Sequence, residues 1–146
     1  MTDFMILTIC FLSGFGLMEL VAWAAHKYLM HGPLWFIHKD HHTPGPGAFQ
    51  TNDLFFLIFA TPSWLSIQMG LESEFYSLAA FGFGILGYGI AYVLVHEVMI
   101  HRRLKFMKAP ASTYWQRILK QHQKHHQTPH RDGALFFGML WPSSDR

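Results

Sequence analysis

Three apolar stretches limit how this chain can fold. Phe4 to Ala25 is interrupted only by Thr8, Ser13 and Glu19. At about 1.5 Å per residue, a helix of that length covers roughly 30 Å, the thickness of bilayer hydrocarbon. Leu54 to Gly70 has no formal charge but contains Pro62, so a kinked helix is expected there. Phe75 to Val95 is apolar and uncharged, and Glu72-Ser73-Glu74 forms the turn before it. Gly133 to Trp141 is apolar but too short to cross, which predicts an interfacial or re-entrant piece. The expected class is all-α: an integral membrane protein of about three spans, with histidine-bearing cytoplasmic helices and a short interfacial C-terminal segment. One domain over residues 1–146 is expected.

Charge agrees with this. Only 14% of the residues are charged, against about 25% in an ordinary soluble domain. Every Lys and Arg falls in 26–53 or 96–146, the two stretches that three spans place on one side. By the positive-inside rule that side is cytoplasmic. Ala22-Trp23-Ala24 has the form of a signal-peptide cleavage site. Thr2 and Asp3 stand where a positive n-region belongs and the apolar stretch is long, so the first span is expected to be retained. The single cysteine, Cys10, rules out an internal disulfide, a thiolate zinc site and a protein-held iron–sulfur cluster.

All eleven histidines lie on the basic side as well. Ten fall in four motifs. His26-x4-His31 ends the first span and His38-x2-His41-His42 follows; His96-x4-His101 ends the third span and His122-x2-His125-His126 follows. Thr43-Pro44 comes after one HxxHH and Thr128-Pro129 lies near the other. The two halves echo each other, as two helical hairpins converging on one site would.

On an α-helix the second and third histidines of HxxHH lie about 60° and 40° to either side of the first, so all three imidazoles share a face. Gly32-Pro33 breaks the chain and restarts it, and Thr113 with Gln116 is expected to cap the last helix. Trp115, Ile118 and Leu119 form an apolar stripe leading into His122, His125 and His126. HxxxxH differs, because its two residues sit about 140° apart on a regular helix. Each such pair either straddles a helix end or serves two metals.

Clustered imidazoles resist protonation, and a metal takes them neutral. Imidazole suits iron, copper, zinc and nickel. Six to ten ligands are too many for one ion and fit two. The Glu-x-x-His signature of carboxylate di-iron bundles is absent, since Glu97 precedes His101 by four residues. His130 lies outside the motifs. Glu19 is an intramembrane carboxyl, a functional candidate that could equally pair with a neighbouring hydroxyl. Glu97 and Asp40 are candidate acceptors for imidazole N–H groups. Arg102, Arg103, Lys105 and Lys108 could dock an acidic electron carrier or meet lipid headgroups. Gly82, Gly84, Gly87 and Gly89 spell GxGxxG, but inside an apolar span that pattern is no nucleotide site. Ala80, Gly84, Gly87 and Ala91 share a face suited to close helix packing or to a smooth groove.

The four motifs, in this order between hydrophobic spans, resemble the fatty acid hydroxylase superfamily of membrane di-iron oxygenases, and most closely its non-haem β-carotene hydroxylases. The resemblance covers His26 to His126 at least. It implies two non-haem irons, O₂ as co-substrate, a lipid-soluble carotenoid substrate, an outside donor of the ferredoxin and reductase kind, and a bacterial inner membrane setting. The matching positions, carried over as metal and catalytic residues, are His26, His31, His38, His41, His42, His96, His101, His122, His125 and His126. Phe36, Phe49, Tyr88, Tyr92 and Trp115 are candidates for pocket walls. Such hydroxylases are usually drawn with four spans rather than three. A fatty acyl, sphingolipid or sterol-type hydroxylase is the alternative within the superfamily. A metal transporter would place ligands nearer the bilayer midplane, and a bis-His haem protein needs no adjacent His-His pairs. No nucleic-acid partner is expected.

Overall fold

The computed structural model describes residues 2–46 and 49–142. Among these there are five α-helices and no strands: α1 (Asp3–Ala24), α2 (Trp35–His42), α3 (Leu54–Glu72), α4 (Tyr76–Tyr92) and α5 (Thr113–His126). Two π-helical turns, π1 (Ala25–Met30) and π2 (Val93–Ile100), continue α1 and α4, and a 3₁₀ turn (Thr51–Asp53) leads into α3. Three helical stretches are long and apolar enough to cross a membrane: Asp3–Met30, Thr51–Glu72 and Tyr76–Ile100. Their apolar side chains are largely exposed, Phe4, Leu12, Leu20, Leu57 and Trp64 among them. Exposed apolar surface on this scale is stable only against lipid. Gly133 to Trp141 forms no helix.

The chain divides into two compact units. The first comprises Met1–Met18 and Phe55–Ala91. Its helices meet through small residues, as packing in lipid favours. A Cβ on Gly84 would collide with the backbone carbonyl of Phe11, and one on Gly14 with that of Phe81. Gly70 lies against the backbone of Ala79 in the same way. On the opposite face of α4, Gly82 packs on Ser63 and Ile67, and the Ser63 hydroxyl donates to the Gly82 carbonyl at 2.9 Å. Tyr88 is 2% exposed and meets Phe15 edge-on, with ring centroids 5.6 Å apart. Of the four residues expected to share a packing face, Gly84 and Gly87 do approach α1. α3 runs as one helix through Pro62.

The second unit comprises Glu19–Leu54 and Tyr92–Arg146. Val95, Ile118 and Met139 form a buried cluster with Tyr92, Ile100, Trp115 and Leu140 packed around it. The apolar stripe of α5 reaches it through Trp115 and Ile118. The cap of α5 differs from expectation. Ser112 is the N-cap, without a side-chain bond, and the Gln116 amide instead donates to the Pro110 carbonyl at 3.4 Å. The helix starts one residue earlier than a Thr113–Gln116 capping box requires. Pro33 lies in the turn before α2, whose N-cap is Leu34.

Replacing Gly84 by Leu is expected to overpack the α1–α4 contact and cost about 1–3 kcal/mol, read as a lower thermal midpoint in detergent. Gly89→Leu is the control and leaves the midpoint unchanged, because a Cβ there meets nothing within 4 Å.

Candidate metal centre

The site begins with the hydrogen-bond ladder of π1 and π2. The His31 N–H donates to the His26 carbonyl at 3.0 Å, and the His101 N–H to the His96 carbonyl at 2.9 Å. An i→i+5 bond closes one π turn, so residues five apart stack on the same side. This is how HxxxxH works here. Each pair meets at a helix end, with His31 and His101 as the residues that close it, and the two rings of each pair lie 5.3 Å and 4.5 Å apart.

The ten motif histidines collect into two groups of five. His26, His31, His38, His42 and His125 form one; His41, His96, His101, His122 and His126 form the other. In each group the five candidate ligand atoms lie within 4.8 Å of one another, a spacing that could hold a metal ion. The division is crosswise. Each HxxxxH pair stays together and is joined by the first and last histidines of the HxxHH that follows it. The middle histidine, His41 of α2 or His125 of α5, joins the other half's group. His130 is exposed and belongs to neither.

Hydrogen bonds fix how the imidazoles of the first group point. His26 Nδ1 donates to the Phe137 carbonyl (3.2 Å), His31 Nδ1 to Arg131 (2.9 Å), His42 Nδ1 to Thr128 (2.9 Å) and His125 Nδ1 to Leu135 (2.8 Å). His38 Nδ1 lies 2.6 Å from Asn52 Oδ1. A carbonyl can only accept, so Nδ1 carries the proton and Nε2 carries a lone pair. Yet His31 Nε2 stands 3.2 Å from His125 Nε2 and 3.1 Å from His42 Nε2. Converging lone pairs repel unless a cation lies among them.

In the second group the acceptors are side chains. His96 Nδ1 lies 2.5 Å from Glu97 Oε1 and His41 Nδ1 3.4 Å from Gln50 Oε1. His122 Nε2 is 3.0 Å from His101 Nε2 and 2.9 Å from His126 Nε2. His41 Nε2 is buried with no hydrogen-bond partner. An orphaned imidazole nitrogen beside four others is a donor set that fits a metal.

Protons are poor substitutes for that cation. Burial is the largest cause holding His31, His41 and His122 below their ordinary value, and pushing His38, His101 and His125 to about 3, His42 to about 4 and His126 to about 2. Neighbouring imidazoles add to it, most clearly at His41, His122 and His126.

A family model described as fatty acid hydroxylase matches residues 11–146. The chain belongs to the fatty acid hydroxylase family. A β-carotene hydroxylase from Pantoea ananas is 39% identical over 124 residues, 85% of this chain and 70% of the relative. One from Paracoccus sp. (strain PC1) is 32% identical over 142 residues, 97% of this chain and 85% of the relative. A chloroplastic β-carotene 3-hydroxylase from Haematococcus lacustris is 40% identical over 128 residues, 84% of this chain and 39% of the relative. No solved structure matches. The family agrees with the resemblance carried by the four motifs.

Several supports of this candidate site leave no motif in the sequence. Asn52 and Gln50 sit in or beside the 3₁₀ turn, and nothing but a short polar run, Gln50-Thr51-Asn52-Asp53, marks them. Four acceptors are backbone carbonyls of residues 128–137, which leave no residue signature. Glu97 receives a histidine, as expected; Asp40 does not. The Asp40 carboxyl instead ties α2 to the turn, accepting from the Thr51 N–H, the Thr51 hydroxyl (2.8 Å) and the Asn52 N–H (3.3 Å). Arg103 is not available for docking, because its guanidinium binds Asp53 at 2.7 and 2.8 Å and Glu97 at 2.8 Å. Arg102, Lys105 and Lys108 are exposed. Phe36 and Phe49 are 63% and 89% exposed. Tyr92 packs on His96 at 4.7 Å.

Unfolding frees these imidazoles to titrate near 6.5. Below that value the unfolded chain binds more protons than the folded one, so stability falls as pH drops from about 6.5 toward 4. The metal-free protein in detergent is expected to melt at a lower temperature at about pH 5 than above pH 7. An unchanged midpoint would mean that the imidazoles are open to water.

Proposed function

We propose that this chain is a membrane non-haem di-iron monooxygenase that hydroxylates C3 of the β-ionone ring of β-carotene, towards zeaxanthin, with O₂ and external electrons. The observation that carries this reading is the gathering of ten histidines into two five-imidazole groups, in a family member whose curated relatives are named β-carotene hydroxylases. His26, His31, His38, His42 and His125 would hold one iron; His41, His96, His101, His122 and His126 would hold the other. Bound iron would supply the one-electron chemistry with O₂ that attack on an unactivated C–H bond requires. Each turnover consumes one O₂, two electrons and two protons and yields one alcohol and one water. The electrons come from a separate donor of the ferredoxin kind, because one cysteine can hold no cluster.

The chain's own groups hold the imidazoles neutral and in one tautomer, with Nε2 turned inward, so little reorganisation is needed when they act as ligands. Phe137 covers the first group, its ring 5.4, 5.2 and 5.2 Å from those of His26, His31 and His125. Phe137 also borders a cavity of about 410 Å³, with Leu20, Trp23, Phe136 and Trp141 and the polar Glu19 and Gln121. Its mostly apolar lining suits a hydrocarbon ring arriving from lipid. The Lys and Arg distribution supports a cytoplasmic orientation for this face, and a bacterial inner membrane is the setting that the resemblance implies.

Expression in a bacterial host that accumulates β-carotene is expected to yield mono- and dihydroxylated pigments by chromatography. Unchanged β-carotene beside iron-loaded protein supplied with ferredoxin would defeat the carotenoid assignment. The metal assignment has its own test. His38→Ala with His42→Ala is expected to leave one iron per chain after anaerobic loading, as is His41→Ala with His126→Ala. Both pairs are expected to abolish turnover. Loss of both irons from either double variant would refute two separate groups.

A further inference from the structure

Glu19 lies in the first span, far in sequence from every motif histidine but those of the first pair. Its Oε1 accepts three consecutive backbone N–H groups: Met139 at 3.0 Å, Leu140 at 2.9 Å and Trp141 at 3.0 Å. Three amides aimed at one oxygen make an anion-binding nest, here filled by a side chain of the same chain. Gly138 precedes it, and a Cβ there would sit 3.0 Å from the Trp141 carbonyl and 3.6 Å from Glu19 Oε1, so the backbone bends tightly around the carboxyl group. Next comes Phe137, whose carbonyl accepts from His26. Phe136 is held at φ 60°, a conformation that bulky residues rarely adopt. That turn lets the carbonyls of Leu135 and Phe137 face His125 and His26 respectively. Residues 128–137 have no helix or sheet ladder to hold this shape.

We propose that Glu19 is a positioning residue for the first histidine group: it anchors the strap 128–141, whose four carbonyls set the tautomer and aim of His26, His31, His42 and His125. This rests on the two-metal reading above. Glu19 acts through the backbone N–H groups of this strap. The second group takes its orientation from Glu97 and Gln50, so Glu19 governs one metal position and spares the other.

The test counts iron per chain after anaerobic loading with Fe²⁺, in three backgrounds. Glu19→Leu alone is expected to lower the count from two to one, while Glu19→Gln, which keeps an oxygen for the three N–H groups, restores two. Added to His41→Ala/His126→Ala, Glu19→Leu is expected to remove the remaining iron. Added to His38→Ala/His42→Ala it is expected to change nothing, and the spectrum of the retained iron stays that of the parent. Iron retained at two in Glu19→Leu overturns the proposal. So does iron lost from the His38→Ala/His42→Ala background, since a general folding defect would do that. A wild-type chain that never holds two irons would instead defeat the metal reading itself.

Discussion

Five imidazole lone pairs turned toward one point are tolerable only around a cation, and much of the histidine-bearing unit exists to turn them there. A neutral imidazole can relieve such crowding by moving its proton to the inner nitrogen. Here that escape is closed, because the outer nitrogen of each first-group ring is spent on a carbonyl or amide oxygen. Burial closes the other escape, full protonation. The arrangement holds unfavourable electrostatics in the metal-free chain that a bound cation would release, a source of affinity that needs no carboxylate ligand.

The two groups solve the same problem with different materials. The first leans on backbone carbonyls, which are neutral and immovable once the strap is fixed. The second leans on the Glu97 carboxyl, itself clamped by Arg103 and through it by Asp53. A carboxyl acceptor draws the imidazole proton outward more strongly than a carbonyl does, and so makes the ring a stronger donor to a metal. The near-symmetry of the motifs thus conceals an electronic asymmetry between the two positions.

How much of this was legible in the sequence depends on which chemistry leaves a mark in side chains. The spans were legible because a bilayer penalises charge over some twenty residues at a time. The shared face of each HxxHH was legible from the α period, but not its division: offsets of about 40° and 60° are too close for a helical wheel to say that His41 parts from His38 and His42. HxxxxH resisted the same wheel because the helix there is not α. A change from i→i+4 to i→i+5 bonding at Ala25 and Val93 has no residue signature. The strap was invisible because its contribution is backbone carbonyls. Glu19 was visible as an anomaly, a carboxyl within a span, but the amides it serves lie about 120 residues away.

The crosswise exchange of His41 and His125 has a thermodynamic consequence. α2 gives two histidines to one group and one to the other, and α5 does the same in reverse. An ion held by either group would therefore take ligands from both helices. On the two-metal reading, whatever shifts one helix would be felt at both positions, so the affinities of the two would be linked, and linked equally in each direction.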